Sequence, residues 1–526
     1  MYIVFCGAVR QVTGSMHMLV TDDDVLLFDC GMFQGKRRES AERNRVIPFA
    51  PELISSIMLS HAHIDHCGRI PLFTKDEFNG RIVCTRATAE AAVYLLDDSA
   101  RIQESDAQYL NYKTVKNFMQ KRASNSSGEK ISNGEAKKIK KLLQSKKNRL
   151  NSGEINRLLA KYHLESVDPL YTTGDVENCL EYFRGYPYQH QIEVGKDAVC
   201  TFYDAGHILG SAMIHVKVRD RGKNHSILFT GDIGRFDKPI IQDPTLEFAE
   251  EDRNIDLMIM ESTYGNRVHE PVVDLKPMLK NVIIETEKRG GSIMIPAFSY
   301  GRTQEIIYYL HELYMEGKVP RMPIYIDSPL ANKLTKVFGE HPETYDDETH
   351  ETFLENGKNP FLFEEINFVG SVEESMALNR DDRPHIVIAG SGMCEGGRIL
   401  HHLRYKIEDG KNTVLIVGYM AGNTLGRRLL DLGLEYAEAG RKGEVPTIKF
   451  HNSEYRLKAH VIKLGGFSAH GDKNEMTRFL KESNLNVKKI AVVHGEEEQS
   501  LSFAEYLREM GYDAFVPKLG ESVRLE

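Results

Sequence analysis

Three histidines and an aspartate fall within six positions of the stretch LSHAHIDHCGRIP, residues 59–71. Imidazole nitrogens and carboxylate oxygens are the ligand types that suit Zn²⁺, and crowding them is costly unless an ion shares their lone pairs. The segment follows the apolar run SSIMLS, which has strand length. An extended chain alternates its side chains, so His61 and His63 fall on one side. Asp65 and His66, around the following bend, can face a second position. A helical HExxH motif, by contrast, gathers one ion with ligands four residues apart.

These four side chains cannot complete two metal sites, so further ligands must come from elsewhere in the chain. His207 follows a strand-like run and a glycine in YDAGHILGSAM. Asp232 ends the apolar run of ILFTGDIG, His494 ends that of IAVVHGE, and His470 sits in the Gly/Ser-rich turn GGFSAHGD. Any one alone reads as a turn residue or a hydrogen-bonded polar group. Beside HxHxDH, they read together as ligand-type groups gathered at strand ends. His401 and His402 lie in the helical stretch RILHHLRY and read as surface or packing residues, and His17, His163 and His311 receive no role.

The elements that must position these groups are legible as runs and periods. Before residue 61 come four short apolar runs, YIVFCGA, HMLVTDD, VLLFDCG and ISSIMLS, punctuated by turn residues as in an antiparallel or mixed sheet. Two helical stretches follow, and strands return in AVCTFYDAG, SAMIHVKVR, HSILFTGDIG and IDLMIMEST. From about residue 266 a strand leads four times into a helix, beginning with GSIMIPAFSYGRTQEIIYYLHELY. That rhythm predicts a parallel sheet covered on both faces. From about residue 446 strands resume, so the parallel unit reads as inserted into the first domain: 1–265, then 266–455, then 456–526. The run AGSGMCEGG, residues 389–397, does not match GxGxxG; its glycines suit close strand–helix packing or a backbone that approaches phosphate.

Composition narrows the class. A chain of 526 residues exceeds one ordinary core, which predicts at least two domains. No apolar run is long enough for a membrane span, and the N-terminus reads as a first strand rather than a signal peptide. Seven scattered cysteines without a CxxC pair predict reduced thiols and a cytoplasmic location. The net charge of −9 excludes a generally basic nucleic-acid binder. Between Lys113 and Lys161, however, 14 Lys and Arg stand against three Asp and Glu. That basic helical insertion, within about residues 110–165, reads as a solvated arm or a phosphate-attracting one, with a mobile segment near residues 124–134.

Taken in order, these residues resemble the metallo-β-lactamase superfamily and, within it, the β-CASP branch. The superfamily pattern is matched by Asp29 in LLFDCG, by HAHIDH, by His207 and by Asp232. The branch motifs are matched by Glu261 in MIMESTYG, His470 in FSAH and His494 in VVHGE. The likeness extends to the endonuclease subunit of the cleavage and polyadenylation specificity factor and its bacterial and archaeal RNA-processing relatives. It implies an αββα sandwich with the parallel α/β domain inserted as a lid. It further implies two Zn²⁺, one held by His61, His63 and His207 and one by Asp65, His66 and His494. Asp232 would bridge them and Asp29 would brace the histidine loop; Mn²⁺ is an acceptable replacement.

The implied chemistry is hydrolysis of phosphodiester bonds in single-stranded RNA to 5′-phosphate and 3′-hydroxyl ends, endonucleolytic with 5′→3′ exonuclease activity beside it. Asp65 and Asp232 would serve the metals, His470 would be the acid for the leaving oxygen, and Glu261 would orient it. Ser468 and Arg302 are candidates for phosphate contacts. A homodimer is also implied. Rival readings are a DNA nuclease of the same branch, a small-molecule hydrolase, and a catalytically silent scaffold of an RNA-processing complex. DNA-directed members of the branch usually carry an aliphatic residue where this chain has His494, which favours RNA.

Overall fold

In the central strands, alternate side chains serve different layers. Leu257 and Ile259 enter one apolar cluster, whereas Met258 and Met260 enter another. Leu26 and Phe28 share the first of these clusters, while Leu27 joins a third. A period of two with both faces apolar is what a strand needs when a second sheet covers one side and helices the other. The structure, a computed structural model, describes residues 1–525 apart from 36, 76, 125–142, 146–148 and 270–274.

Two seven-stranded sheets meet these demands. In spatial order the first runs Ser522–Arg524, Tyr2–Phe5, His17–Val20, Val25–Phe28, Ser56–Met58, Arg81–Thr85 and Phe183–Tyr186. It is mixed: antiparallel through Val25–Phe28 and parallel from there on. The second runs Ala514–Phe515, Ile490–Val492, Leu257–Met260, Lys223–Phe229, Ala212–Asp220, Ala198–Asp204 and Gln191–Glu193. They pack face to face through residues such as Ile3, Phe5, Phe28, Phe202, Ile214 and Phe229. The helix Arg86–Ser124 covers the outside of the first sheet, and Lys473–Glu482 and Glu497–Glu509 cover the second. The layering is αββα.

A third sheet has six strands, all parallel, in the order Ile366–Phe368, Ile324–Ile326, Ile386–Ala389, Ile293–Pro296, Thr413–Ile416 and His460–Lys463. Each of the four strand-to-helix repeats is present, leading into the helices Arg302–Met315, Pro329–Glu340, Ile399–Lys406 and Leu425–Glu438. The sheet extends past the boundary at residue 455. After the hairpin Thr447–Phe450 with Ser453–Arg456, the chain adds one more parallel strand, where Val461 packs with Leu429 and Val414. The parallel sheet therefore runs through Lys463.

The basic stretch begins on the last turns of Arg86–Ser124. That helix and Ser152–Lys161 enclose a small cluster of Val115, Met119, Ile155 and Leu158. Residues 125–134, most of the segment expected to be mobile, lie outside the described residues. All seven cysteines are unpaired. Among the described residues no helix is long and apolar enough to cross a membrane.

Phe229 lies between the sheets with its ring 5.5 Å from Phe28 and 5.6 Å from His17. Phe229→Ala is expected to destabilise the sandwich by roughly 3–5 kcal/mol. A guanidinium titration should show a lower midpoint with an unchanged slope.

Candidate metal centre

Most of the ligand-type side chains emerge just past the carboxyl end of a strand. Asp29 follows Val25–Phe28, and His61 and His63 follow its parallel neighbour Ser56–Met58. In the facing sheet, the parallel neighbours Lys223–Phe229, Leu257–Met260 and Ile490–Val492 deliver Asp232, Glu261 and His494 in turn. His207 follows Ala198–Asp204, two strands from Lys223–Phe229 and running the same way. His470 arrives after the last strand of the inserted sheet and is fixed by a β-bridge to Gly234.

Local geometry separates the two halves of HxHxDH. His63 is the last extended residue and caps the short helix Ile64–Cys67, so Asp65 and His66 turn away from the first pair. This helix packs against Gly31 so tightly that a methyl there would meet the Asp65 carbonyl oxygen at 1.6 Å. Asp29 adopts a left-handed backbone, φ 59°, which aims its carboxylate back under the loop. Its Oδ1 accepts the Ser60 backbone N–H at 2.8 Å, and its Oδ2 accepts the Ser15 hydroxyl at 2.9 Å and lies 2.7 Å from His66 Nδ1. Asp29 thus lies beneath the histidine loop, where a brace for it would sit, and Ser15 and Ser60, which the motifs did not single out, share its carboxylate. Ser60 was visible as a polar residue ending an apolar strand directly before the motif.

Two sets of ligand atoms result. In the first, His61 Nε2 and His63 Nδ1 are 3.0 Å apart, His207 Nε2 is 3.4 Å from His63 Nδ1, and Asp232 Oδ2 is 3.6 Å from His61 Nε2. In the second, His66 Nε2 and His494 Nε2 are 3.1 Å apart, and Asp65 Oδ2 is 3.7 Å from the latter. Asp232 touches both, since Oδ2 is also 3.3 Å from His66 Nε2 and Oδ1 is 3.4 Å from His494 Nδ1. All seven side chains anticipated as ligands are therefore brought together.

The donor chemistry fits divalent ions. Asp232 Oδ1 and His207 Nδ1 are buried without a hydrogen-bond partner. His66 Nδ1 faces the Asp29 carboxylate and Nε2 faces Asp232, and the two carboxylates outweigh burial and hold its pKa well above the usual range; an ion bound at Nε2 would take the place of that proton. Ligand atoms about 2 Å from a shared ion stand 3–4 Å from one another, as these do. Glu261 also approaches Asp232 and His494. Its oxygens are otherwise engaged: Oε1 accepts the Ile233 N–H at 2.6 Å and lies 3.3 Å from His470 Nδ1, and Oε2 faces the Thr263 N–H at 3.3 Å.

Electrostatics sharpen the contrast between the groups. Burial, aided by His66, holds the His61 pKa well below the ordinary range, and burial with His470 does the same to His207. Burial also takes His63 down to about 4. These rings are neutral, as ligands must be. At His470 burial pulls the pKa down, but Glu261 and Asp232 outweigh it and raise it to about 9. Burial opposes ionisation of Asp232 as well, yet His494, His66 and His470 hold its carboxyl well below the usual range.

The centre opens into a cavity of about 810 Å³ between the sandwich and the inserted domain. The two walls are tied by the Tyr300 hydroxyl, which donates to the Leu209 carbonyl at 2.6 Å, and by Lys238 Nζ, 3.3 Å from Glu305 Oε2. Arg302 lines the cavity, pairs with Glu305 at 2.6 Å and lies over the Phe467 ring. Ser468 lines it too, its hydroxyl donating to the His470 carbonyl at 3.3 Å. His402, by contrast, is buried far from the centre, 2.7 Å from Asp327 Oδ2, and His401 is exposed.

Asp29→Asn keeps the shape of the brace but removes its charge from His66. It is expected to weaken Zn²⁺ binding roughly 10- to 100-fold, measured by competition with a chromophoric chelator.

Comparison with known proteins places this geometry. Residues 9–263 match the metallo-β-lactamase superfamily, 303–429 the Beta-Casp domain, and 454–517 the Zn-dependent metallo-hydrolase RNA specificity domain. Ribonuclease TTHA0252 of Thermus thermophilus is 30% identical over 99% of this chain and 100% of its own length. Transcription termination factor FttA of Methanosarcina mazei is 28% identical over 95% of this chain and 67% of its own. That of Methanocaldococcus jannaschii is 26% identical over 100% of this chain and 72% of its own. The chain belongs to the β-CASP branch of the metallo-β-lactamase superfamily.

Proposed function

We propose that the protein is a zinc-dependent ribonuclease that hydrolyses single-stranded RNA to 5′-phosphate and 3′-hydroxyl ends. Cleavage is endonucleolytic, with 5′→3′ exonuclease activity on suitable ends. The observation that carries this reading is the convergence of two ligand sets on Asp232 at the floor of a cavity walled by both domains. A relative named as a ribonuclease along its whole length supports RNA as the substrate, and so does the match to an RNA specificity domain.

His61, His63 and His207 would hold one Zn²⁺ and Asp65, His66 and His494 the other, with Asp232 shared between them. Bound there, the ions supply Lewis acidity that acidifies water and neutralises charge on the phosphoryl oxygens. The chain's own residues do the rest. As the oxygen of a water that has given up one proton to solvent bonds to phosphorus, the bond from phosphorus to the 3′-oxygen breaks, that oxygen takes a proton from His470 Nε2, and His470 is reprotonated from solvent. Glu261 holds Nδ1 of the same ring, which turns Nε2 toward the cavity. Arg302 Nε is buried without a partner, which suits a phosphate oxygen entering beside it. Ser468 keeps the His470 loop in place and borders the same path. The acidic overall charge is compatible with RNA because two bound dications would make the cavity locally attractive to phosphate.

The test is digestion of one RNA labelled separately at each end, with a 5′-triphosphate and with a 5′-monophosphate, alongside metal analysis of the same sample. Internal cuts independent of the 5′ end are expected, with about two zinc equivalents per chain. His494→Ala and Asp65→Ala should each lose zinc and lower kcat by on the order of 100-fold or more. Equal cutting of a matched DNA, or full cutting by zinc-depleted protein, would overturn the assignment.

A further inference from the structure

Two aromatic rings stand out on the inserted-domain wall of the cavity because each is half open to it. Phe298 is 46% exposed and Tyr419 is 56% exposed, although both line the space that reaches the metal centre. Among the described residues, neither ring packs against another aromatic ring. An exposed aromatic costs free energy in water unless a partner shares its face.

Their position follows from the strand order of the inserted sheet. His460–Lys463, Thr413–Ile416 and Ile293–Pro296 are consecutive neighbours, all parallel. The loop after the first carries Ser468 and His470, that after the second carries Tyr419, and that after the third carries Phe298. Neighbouring strands are about 4.8 Å apart. The rings therefore stand one and two steps along the sheet edge from the loop that supplies the proposed acid. The backbone makes room for them: a methyl on Gly392 would meet the Phe298 ring at 3.0–3.1 Å.

We propose that Tyr419 and Phe298 are successive stacking platforms for two unpaired bases of the RNA strand lying across this edge. The inference rests on the ribonuclease reading and says how the strand is held. Among the described residues the two rings, borne on adjacent loops, do not pack on each other, so each can take its own base. Bases inside a duplex cannot present their faces, so the device selects single strands. Every base has a π-face, so it does so with little regard to sequence. Both are positioning residues, since neither touches the reacting atoms.

The experiment measures binding of fluorescent single-stranded oligoribonucleotides to zinc-depleted protein, where no cleavage intervenes, and then KM and kcat on zinc-loaded protein. Phe298→Ala and Tyr419→Ala should each weaken binding roughly 5- to 150-fold, the size of one base–aromatic stack. KM should rise while kcat changes little. Tyr419→Phe and Phe298→Tyr should bind as the parent does, whereas Phe298→Leu, which keeps apolar bulk without a ring, should not. The decisive control is an RNA with abasic riboses in place of bases: on it, parent and variants should bind alike. Equal losses on intact and abasic RNA, or no loss on either, would overturn the proposal. The binding arm does not require turnover, so a protein that stacks bases but never cuts RNA would overturn the ribonuclease reading and leave this one standing.

Discussion

The Asp232 carboxylate is the point on which the rest of the architecture turns. It is 2% exposed, stays ionised, and lies within 3.8 Å of nitrogens from His61, His66, His207, His470 and His494. One of its oxygens has no hydrogen-bond partner. A buried ionised carboxylate is stable only when cations and dipoles replace the water it has lost. The neutral rings of His61 and His207 cannot do that, because they bring lone pairs as well as N–H groups. Divalent ions between the carboxylate and the rings reconcile all of these groups at once. The buried aspartate and the neutral histidines are thus one problem with one solution.

That solution dictates the scaffold. Ligands drawn from widely separated parts of the chain converge because parallel neighbours end at the same level, so loops such as those bearing Asp232, Glu261 and His494 open side by side. The first sheet, packed face to face with that one, contributes Asp29 and the histidine loop from its own strand ends. The inserted sheet repeats the rule: its loops also leave the carboxyl ends of parallel strands, and they form the opposite wall of the cavity. The ligand-type side chains lie on one wall and the exposed Phe298 and Tyr419 on the other, joined at the His470 loop.

Much of this was legible in the sequence because its signals were local. HxHxDH declares itself within six residues. Polar groups that end apolar runs point to strand termini, and four strand-to-helix repeats announce the parallel sheet. The losses came from long-range pairing. Ile366–Phe368 is short and mostly exposed, with nothing to mark it as an edge strand. His460–Lys463 resembled the strands of the first domain, and only its partner Thr413–Ile416 assigns it to the insertion. His402 looked like packing because Asp327, which fixes it, lies far away in the chain. Ser15 and Thr263 were ordinary polar residues until folding set them beside Asp29 and His494. Exposure of Phe298 and Tyr419 is likewise a property of the assembled cavity.

The route of the chain has a consequence in time. Leu257–Met260 hydrogen-bonds directly to Ile490–Val492, although the whole inserted domain separates them, and Tyr2–Phe5 pairs with Ser522–Arg524 at the other end. During synthesis on the ribosome, two strand edges of the sandwich therefore wait unpaired while the inserted unit is produced and folds. His61, His63 and His66 emerge long before His494 can join them. The nascent protein passes through a stage with half a centre and open edges, which close only when Ile490–Val492 and Ser522–Arg524 arrive.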